Sequence, residues 1–148
     1  GVKELYNAAV KNLEKNEFFI DPYYDEYDNI DDNIAEKLLD SEGYDPRKLF
    51  ICGTECPDIF GAEAILSEKF LCKMADKLEE DYYILVEGVR DVYILPCSAV
   101  NRQAGLENLS EHMRDAVYEK DAFFHGIFRY YKKDGKLRMI SKKSIYAR

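Results

Sequence analysis

A chain of 148 residues with 47% apolar side chains, 12 tyrosines and 8 phenylalanines has the size and composition of one folded domain. No window approaches the roughly 18–20 consecutive apolar residues of a membrane span, and none has the form of an export signal. The net charge of −8 disfavours nucleic acid as a partner, and four cysteines without an export signal point to a reducing, cytoplasmic setting rather than a disulfide framework.

Charge is spread unevenly. Residues 1–45 hold 4 basic against 13 acidic side chains, whereas residues 126–148 hold 8 basic against Asp134 alone. Either the acidic N-terminal part lies against the basic C-terminal ribbon and neutralises it, or the two are separate partner surfaces of opposite sign. Neutralisation is the simpler expectation.

Residues 2–15 repeat Leu5, Ala8, Ala9 and Leu13 at helical spacing, which predicts a first amphipathic helix. The run Phe18-Phe19-Ile20-Asp21-Pro22 breaks it, because the residue before a proline is steered out of the helical region. An acidic, tyrosine-rich lead-in, Tyr23-Tyr24-Asp25-Glu26-Tyr27-Asp28, precedes a second helix over residues 29–40. Its stripe is Ile30, Ile34, Leu38 and Leu39, Asp28 or Asn29 is its N-cap, and Gly43 closes it before Asp45-Pro46 turns the chain.

Residues 48–53 read as a strand, and residues 59–66 as its returning arm, with Gly61, Ala62 and Ala64 small enough to let a helix pack close. Ser67 caps a helix whose stripe is Phe70, Leu71, Met74, Ala75 and Leu78. Residues 82–96 follow, two β-prone runs around Glu87-Gly88 and Arg90-Asp91. Glycine beside a turn-friendly polar residue between such runs predicts a hairpin, and its mostly apolar arms predict a place in the middle of the sheet. Pro96 ends the second arm because it gives no ladder hydrogen bond. Leu106, Leu109, Met113, Ala116 and Val117 mark a further helix, and residues 123–132 and 136–142 form a last hairpin about Asp134-Gly135, the favoured pair of a tight type I′ turn.

These segments predict an α+β domain whose mainly antiparallel sheet is built of three β-hairpins separated by helices, with two N-terminal helices before it. Residues 1–45 are the helical, acidic segment and residues 46–148 the α+β domain, the two expected to form one unit.

Glu4-Leu5-Tyr6-Asn7-Ala8-Ala9, Gly61-Ala62-Glu63-Ala64-Ile65-Leu66, Leu78, the pair Tyr82-Tyr83-Ile84-Leu85 and Asp91-Val92-Tyr93-Ile94-Leu95-Pro96, and the closing Arg129-Tyr130 occur in this order. In that wording the chain resembles a family of uncharacterised bacterial proteins, a domain of unknown function. The resemblance covers nearly the whole chain and implies the C-terminal half of a protein whose other half precedes Gly1. That family favours Pro-Ser-Ser and then His-Glu in the central turn, where this chain has Val86-Glu87-Gly88 and then Arg90-Asp91. The resemblance therefore implies no catalytic residue here.

Candidate chemistry is sparse. The pair Cys52 and Cys56 has one short spacing but no second pair to complete a tetrahedral zinc site, so Cys52 and Cys72 are expected in the core and Cys56 in a loop. Cys97, just after Pro96, is the best-placed nucleophile and would need His112 or His125 as its base. The stretch from Asp21 to Asp32 fails the calcium-loop pattern, because no glycine stands at the sixth position. Basic and aromatic residues alternate in Phe128-Arg129-Tyr130-Tyr131-Lys132-Lys133, but such ribbons commonly guard a sheet edge. No phosphate-binding glycine loop and no metal motif is present in the sequence.

The expected function is that of a non-enzymatic, cytoplasmic protein-binding or accessory domain, with no catalytic residue, metal or cofactor assigned. Its expected contact residues are the tyrosines Tyr23, Tyr24, Tyr27, Tyr130 and Tyr131, read as exposed, since tyrosine offers large contact area with a polar tip. The alternative is an enzyme using Cys97, or Cys52 and Cys56, with a histidine. The sequence leaves the oligomeric state open.

Overall fold

The computed structural model describes residues 18–24, 30–54, 61–86, 92–115 and 125–143. These form strands β1 (Phe18–Pro22), β2 (Phe50–Thr54), β3 (Tyr82–Val86), β4 (Val92–Pro96), β5 (His125–Tyr131) and β6 (Lys136–Lys143). The helices are α1 (Asp32–Glu42), α2 (Glu68–Leu78) and α3 (Ala104–Asp115), with short 3-10 turns at Pro46–Lys48, Gly61–Leu66 and Cys97–Ala99. The strands make one antiparallel sheet in the order β1-β2-β4-β3-β5-β6.

Strand alternation divides the apolar residues into two cores. Cys52, Tyr82, Ile84, Val86, Val92, Ile94, Phe128 and Tyr130 face α2, where they meet Leu71, Met74 and Ala75. Leu85, Tyr93, Leu95 and Ile127 face the other way, onto Leu106, Leu109 and Met113 of α3. Ser67 caps α2 as expected, accepting the Phe70 N–H at 3.2 Å, and the buried Tyr82 hydroxyl donates to the Leu71 carbonyl at 2.8 Å.

The sheet corrects several expectations. Two of the three hairpins form, β3 with β4 and β5 with β6. The third does not: β2 lies between β1 and β4, so both of its edges are taken, and Gly61–Leu66 instead makes a 3-10 turn. Phe18–Pro22, expected as a break, is an edge strand, where a terminal proline is tolerated. The first expected helix and the turn at residues 87–91 lie outside the described residues, as do Ala116 and Val117. The β5–β6 connection is a four-residue loop over residues 132–135 rather than a type I′ turn. Of its residues Gly135 alone has positive φ, at 63°, and its N–H bonds the Tyr131 carbonyl at 2.8 Å.

The second expected helix is present but rotated. Asp31 is its N-cap, Ala35 is its buried residue, and Ile34 is 53% exposed. With little apolar burial, α1 is held by polar contacts at both ends. Arg47 bonds Asp32 and Glu36 at 3.1 and 2.8 Å, and also Asp45. The last carbonyls, which the helix cannot satisfy internally, are taken from outside, Asp40 and Ser41 by Arg102 and Glu42 by Asn108. Asn101 adds a second donor to the Leu39 carbonyl, which already accepts the Gly43 N–H. Gly43 closes α1 at φ 91° and lies against Gly105, so that a Cβ on Gly105 would overlap the Gly43 carbonyl oxygen.

A helical glycine ordinarily gains about 0.5–1 kcal/mol on exchange to alanine. Gly105→Ala should instead lose about 1–3 kcal/mol in urea unfolding, because the α1–α3 joint has no room for a methyl group. A gain in stability would show that the joint is not close-packed.

Candidate functional site

Polar chemistry collects where β3 begins and β4 and β5 end. Arg129 projects from β5 on the α3 side, opposite Tyr83 in the register. Its Nη2 bonds the Asp81 carboxylate at 2.8 Å, and its guanidinium lies 5.7 Å from the Tyr83 ring centre and 4.9 Å from that of Tyr131. The Arg129 Nε is buried without a hydrogen-bond partner, a cost that the two ring faces partly offset. The second Asp81 oxygen accepts the Lys132 N–H at 2.9 Å, and the Asp81 carbonyl accepts the Cys97 N–H at 3.0 Å. Beside it, the Glu80 carboxylate accepts the N–H and hydroxyl of Ser98 at 2.7 and 2.9 Å.

The electrostatics follow from these contacts. The Arg129 hydrogen bond, helped by the Lys132 N–H, holds the Asp81 carboxyl below the usual carboxylate range. Burial pushes the Cys97 thiol up, and the Arg129 charge and the Tyr83 hydroxyl offset this only in part. A thiol held protonated is a poor nucleophile. Nor does the register bring a base to it: Cys97 follows Pro96, which lies across from Tyr82 and hence Tyr130, whereas His125 is at the far end of β5, about 17 Å away along the strand. His112 is exposed on α3. Cys52 is fully buried, as expected, but Cys72 is exposed, because α2 turns Leu71, Met74 and Ala75 to the sheet instead. Cys56 lies outside the described residues. Among the described residues, no group of three His, Cys, Asp or Glu side chains is placed to hold a metal ion.

The tyrosines expected to share a surface are divided. Tyr23 and Tyr24 are half-buried beyond β1, ring to ring at 4.9 Å, with Tyr23 also edge-on to Tyr93 at 5.8 Å. Burial raises the Tyr24 hydroxyl, and it pushes Tyr44 close by up to about 12, with help from Tyr24, Glu42 and Tyr23. Tyr27 lies outside the described residues. Tyr130 is buried, 6% exposed, and stacks on Tyr82 with ring centres 5.2 Å apart, which corrects the reading of it as exposed. Tyr131, the next residue of a pleated strand, points to the opposite face, onto Arg129.

Tyr130 does reach one opening. Between α2 and the β5–β6 loop lies a cleft of about 400 Å³ walled by Leu71, Cys72, Tyr130 and Leu137, with Glu68 at its border. Cations stand along the ribbon: Lys132, Lys133, Lys136 and Arg138 are exposed. Among the described residues, no ion pair takes their side chains. Asp32 and Glu36 of α1 are paired with Arg47, and β1 and β6 lie at opposite ends of the described sheet, five strand spacings or roughly 24 Å apart. Asp32 and Glu36 are thus engaged within the N-terminal part, whereas Glu4, Glu14, Glu17, Asp25, Glu26 and Asp28 lie outside the described residues. Sequence reasoning missed Asp81 and Arg129 as a pair, because their 48-residue separation becomes a contact only through the β3–β5 register.

Two measurements check this site. Because the Asp81 pKa is lowered on folding, its contribution is present at neutral pH and is lost as pH falls through that lowered value. Asp81→Asn should cost about 1 kcal/mol at neutral pH, with the difference from the parent vanishing in acid. A deficit independent of pH in urea titrations would deny the ion pair. Native labelling with a maleimide, read by mass spectrometry, should modify Cys72 first, Cys97 more slowly and Cys52 only on unfolding. Fast labelling of Cys97 would restore it as a nucleophile.

Comparison with protein-family models, with curated proteins and with solved structures finds no match to this chain, so its function is argued from the site alone.

Proposed function

We propose that this chain is a non-enzymatic binding module that holds an acidic protein partner against the β5–β6 ribbon. An apolar side chain of the partner occupies the cleft between α2 and the loop. The observation that carries this reading is the sheet order. It sets the unpaired cations Lys132, Lys133, Lys136 and Arg138 at the edge opposite β1, away from the acids that Arg47 already engages. The cleft supports it further, since a recess beside the loop, walled by Leu71, Tyr130 and Leu137, gives a partner side chain a place to enter. The protonated Cys97 and the distance along β5 to His125 weigh against the cysteine-enzyme reading. Tyr131 belongs to the contact through its place beside Arg129, whereas Tyr23 and Tyr24, beyond β1, stand outside it. A cytoplasmic setting is part of the same proposal.

Crosslinking in cell extract, followed by identification of the captured protein and measurement of its affinity, tests this. Replacing Lys132, Lys133 and Lys136 by glutamate should weaken binding by about a hundredfold or more, with parent binding falling steeply as salt rises. Replacing Tyr23, Tyr24 and Tyr27 by alanine should leave it unchanged. Binding that survives charge reversal but is lost with those tyrosines would move the contact to the other end of the sheet. Capture abolished by nuclease treatment would replace the protein partner with nucleic acid.

A further inference from the structure

The ribbon ends the sheet, and the way it ends it selects a form of partner. β6 is paired with β5 on one side, and among the described residues no strand pairs with the outer row of backbone N–H and C=O groups on its other side. Of the exposed large apolar side chains, Phe19, Met139 and Ile140 lie on the two edge strands, with Met139 45% and Ile140 40% exposed on β6. The pairing steps by one residue at Ile140, between Phe128↔Met139 and Ile127↔Ser141, so Ile140 is a bulge and the regular edge next to the loop is Lys136, Leu137, Arg138 and Met139. Alternation gives this edge two sides. Leu137 and Met139 lie on the α2 face with Tyr130 and Phe128, and Lys136 and Arg138 on the α3 face with Tyr131 and Arg129.

We propose, resting on the ribbon reading above, that the partner binds as a seventh strand: an extended segment of alternating acidic and apolar residues added to the edge of β6. Its carboxylates lie beside Lys136 and Arg138, and its apolar side chains beside Leu137 and Met139, the foremost of them reaching toward the cleft. Charge chooses this occupant. Two copies of β6 would set lysine and arginine against one another, whereas an acidic strand meets attraction along the same edge. The other edge of a second copy offers five residues ending in Pro22, which has no N–H to give.

The test uses the full chain and a synthetic probe, acetyl-(Glu-Val)₃-Glu-amide, with a second probe of the same sequence N-methylated at every residue, so that neither of its edges has donors. Calorimetry should show binding of the first probe, and hydrogen exchange should slow at the amides of residues 136–139. The N-methylated probe should bind about tenfold more weakly or worse, having lost main-chain donors but no charge. Lys136→Glu with Arg138→Glu should abolish binding, and Met139→Ser should weaken it. Equal binding of both probes without slowed exchange would overturn strand addition while leaving charge-driven docking on the ribbon intact. No binding of either probe at millimolar concentration would overturn the inference, and retention of the crosslinked partner after charge reversal would overturn the ribbon reading separately. An increase in sedimenting mass without probe that is lost in Met139→Ser would make a second copy the occupant and overturn it.

Discussion

Everything in this fold depends on β3 and β4 having no polar face. Of their ten residues nine are buried, Tyr83 being the half-buried one, so neither side of the pair can meet water. A strand pair of that kind is stable only with neighbours on both edges and helices on both faces. β2 and β5 supply the edges, α2 and α3 the faces, and the separation into two cores follows from the pleat. The Tyr82 hydroxyl carries the one polar atom of its side chain into the α2 core, and it is tolerated there because the Leu71 carbonyl accepts its proton.

Helix α1 stands outside this arrangement. Only Ala35 of it is fully buried, and it touches the sheet domain through the Arg47 ion pairs, the Gly43–Gly105 contact and the side chains of Asn101, Arg102 and Asn108. Such contacts orient a helix but add little apolar burial, so α1 belongs to the less stable end of the structure. They also explain the charge pattern. Arg47 absorbs acids within the N-terminal part, and Asp81 absorbs one cation of the C-terminal part, Arg129. Among the described residues of the ribbon, Lys132, Lys133, Lys136 and Arg138 are left to solvent.

What could be read from the residues, and what could not, separates along the range of the interaction. Ser67 and the stripe of α2, the part of the α3 stripe at Leu106, Leu109 and Met113, and the strand pairs β3–β4 and β5–β6 are local, and the structure has them. The strand at Phe18–Pro22 and the 3-10 turn at Gly61–Leu66 depend on which edges of β2 were already occupied, a fact set by strand partners 28 to 44 positions apart. The antiparallel α+β class was legible because period-two and period-3.6 patterns alternate along the chain. The site was less so. Tyr130 and Tyr131 were grouped as one surface although consecutive strand residues cannot face the same way, and that error was avoidable from the strand assignment alone. The Asp81–Arg129 pair was not avoidable, since it exists only through register.

The Asp81 node also bears on why the ribbon is suited to contact. Its two carboxylate oxygens hold Arg129 and the Lys132 N–H, fixing the end of β5 and the first residue of the loop to the start of β3. The aromatic rings on either side of the guanidinium restrict it further. Beyond Lys132 the cations are free of such ties, so the loop carries charge on a short projection whose base is rigid. A rigid base lowers the ordering cost of binding, while exposed lysines retain the reach to meet carboxylates at varied positions. The same node removes Arg129 from the contact: its charge is already answered by Asp81, and a partner carboxylate would have to displace that ion pair to use it. On the proposed reading, recognition would fall to Lys132, Lys133, Lys136 and Arg138, the exposed cations outside the node.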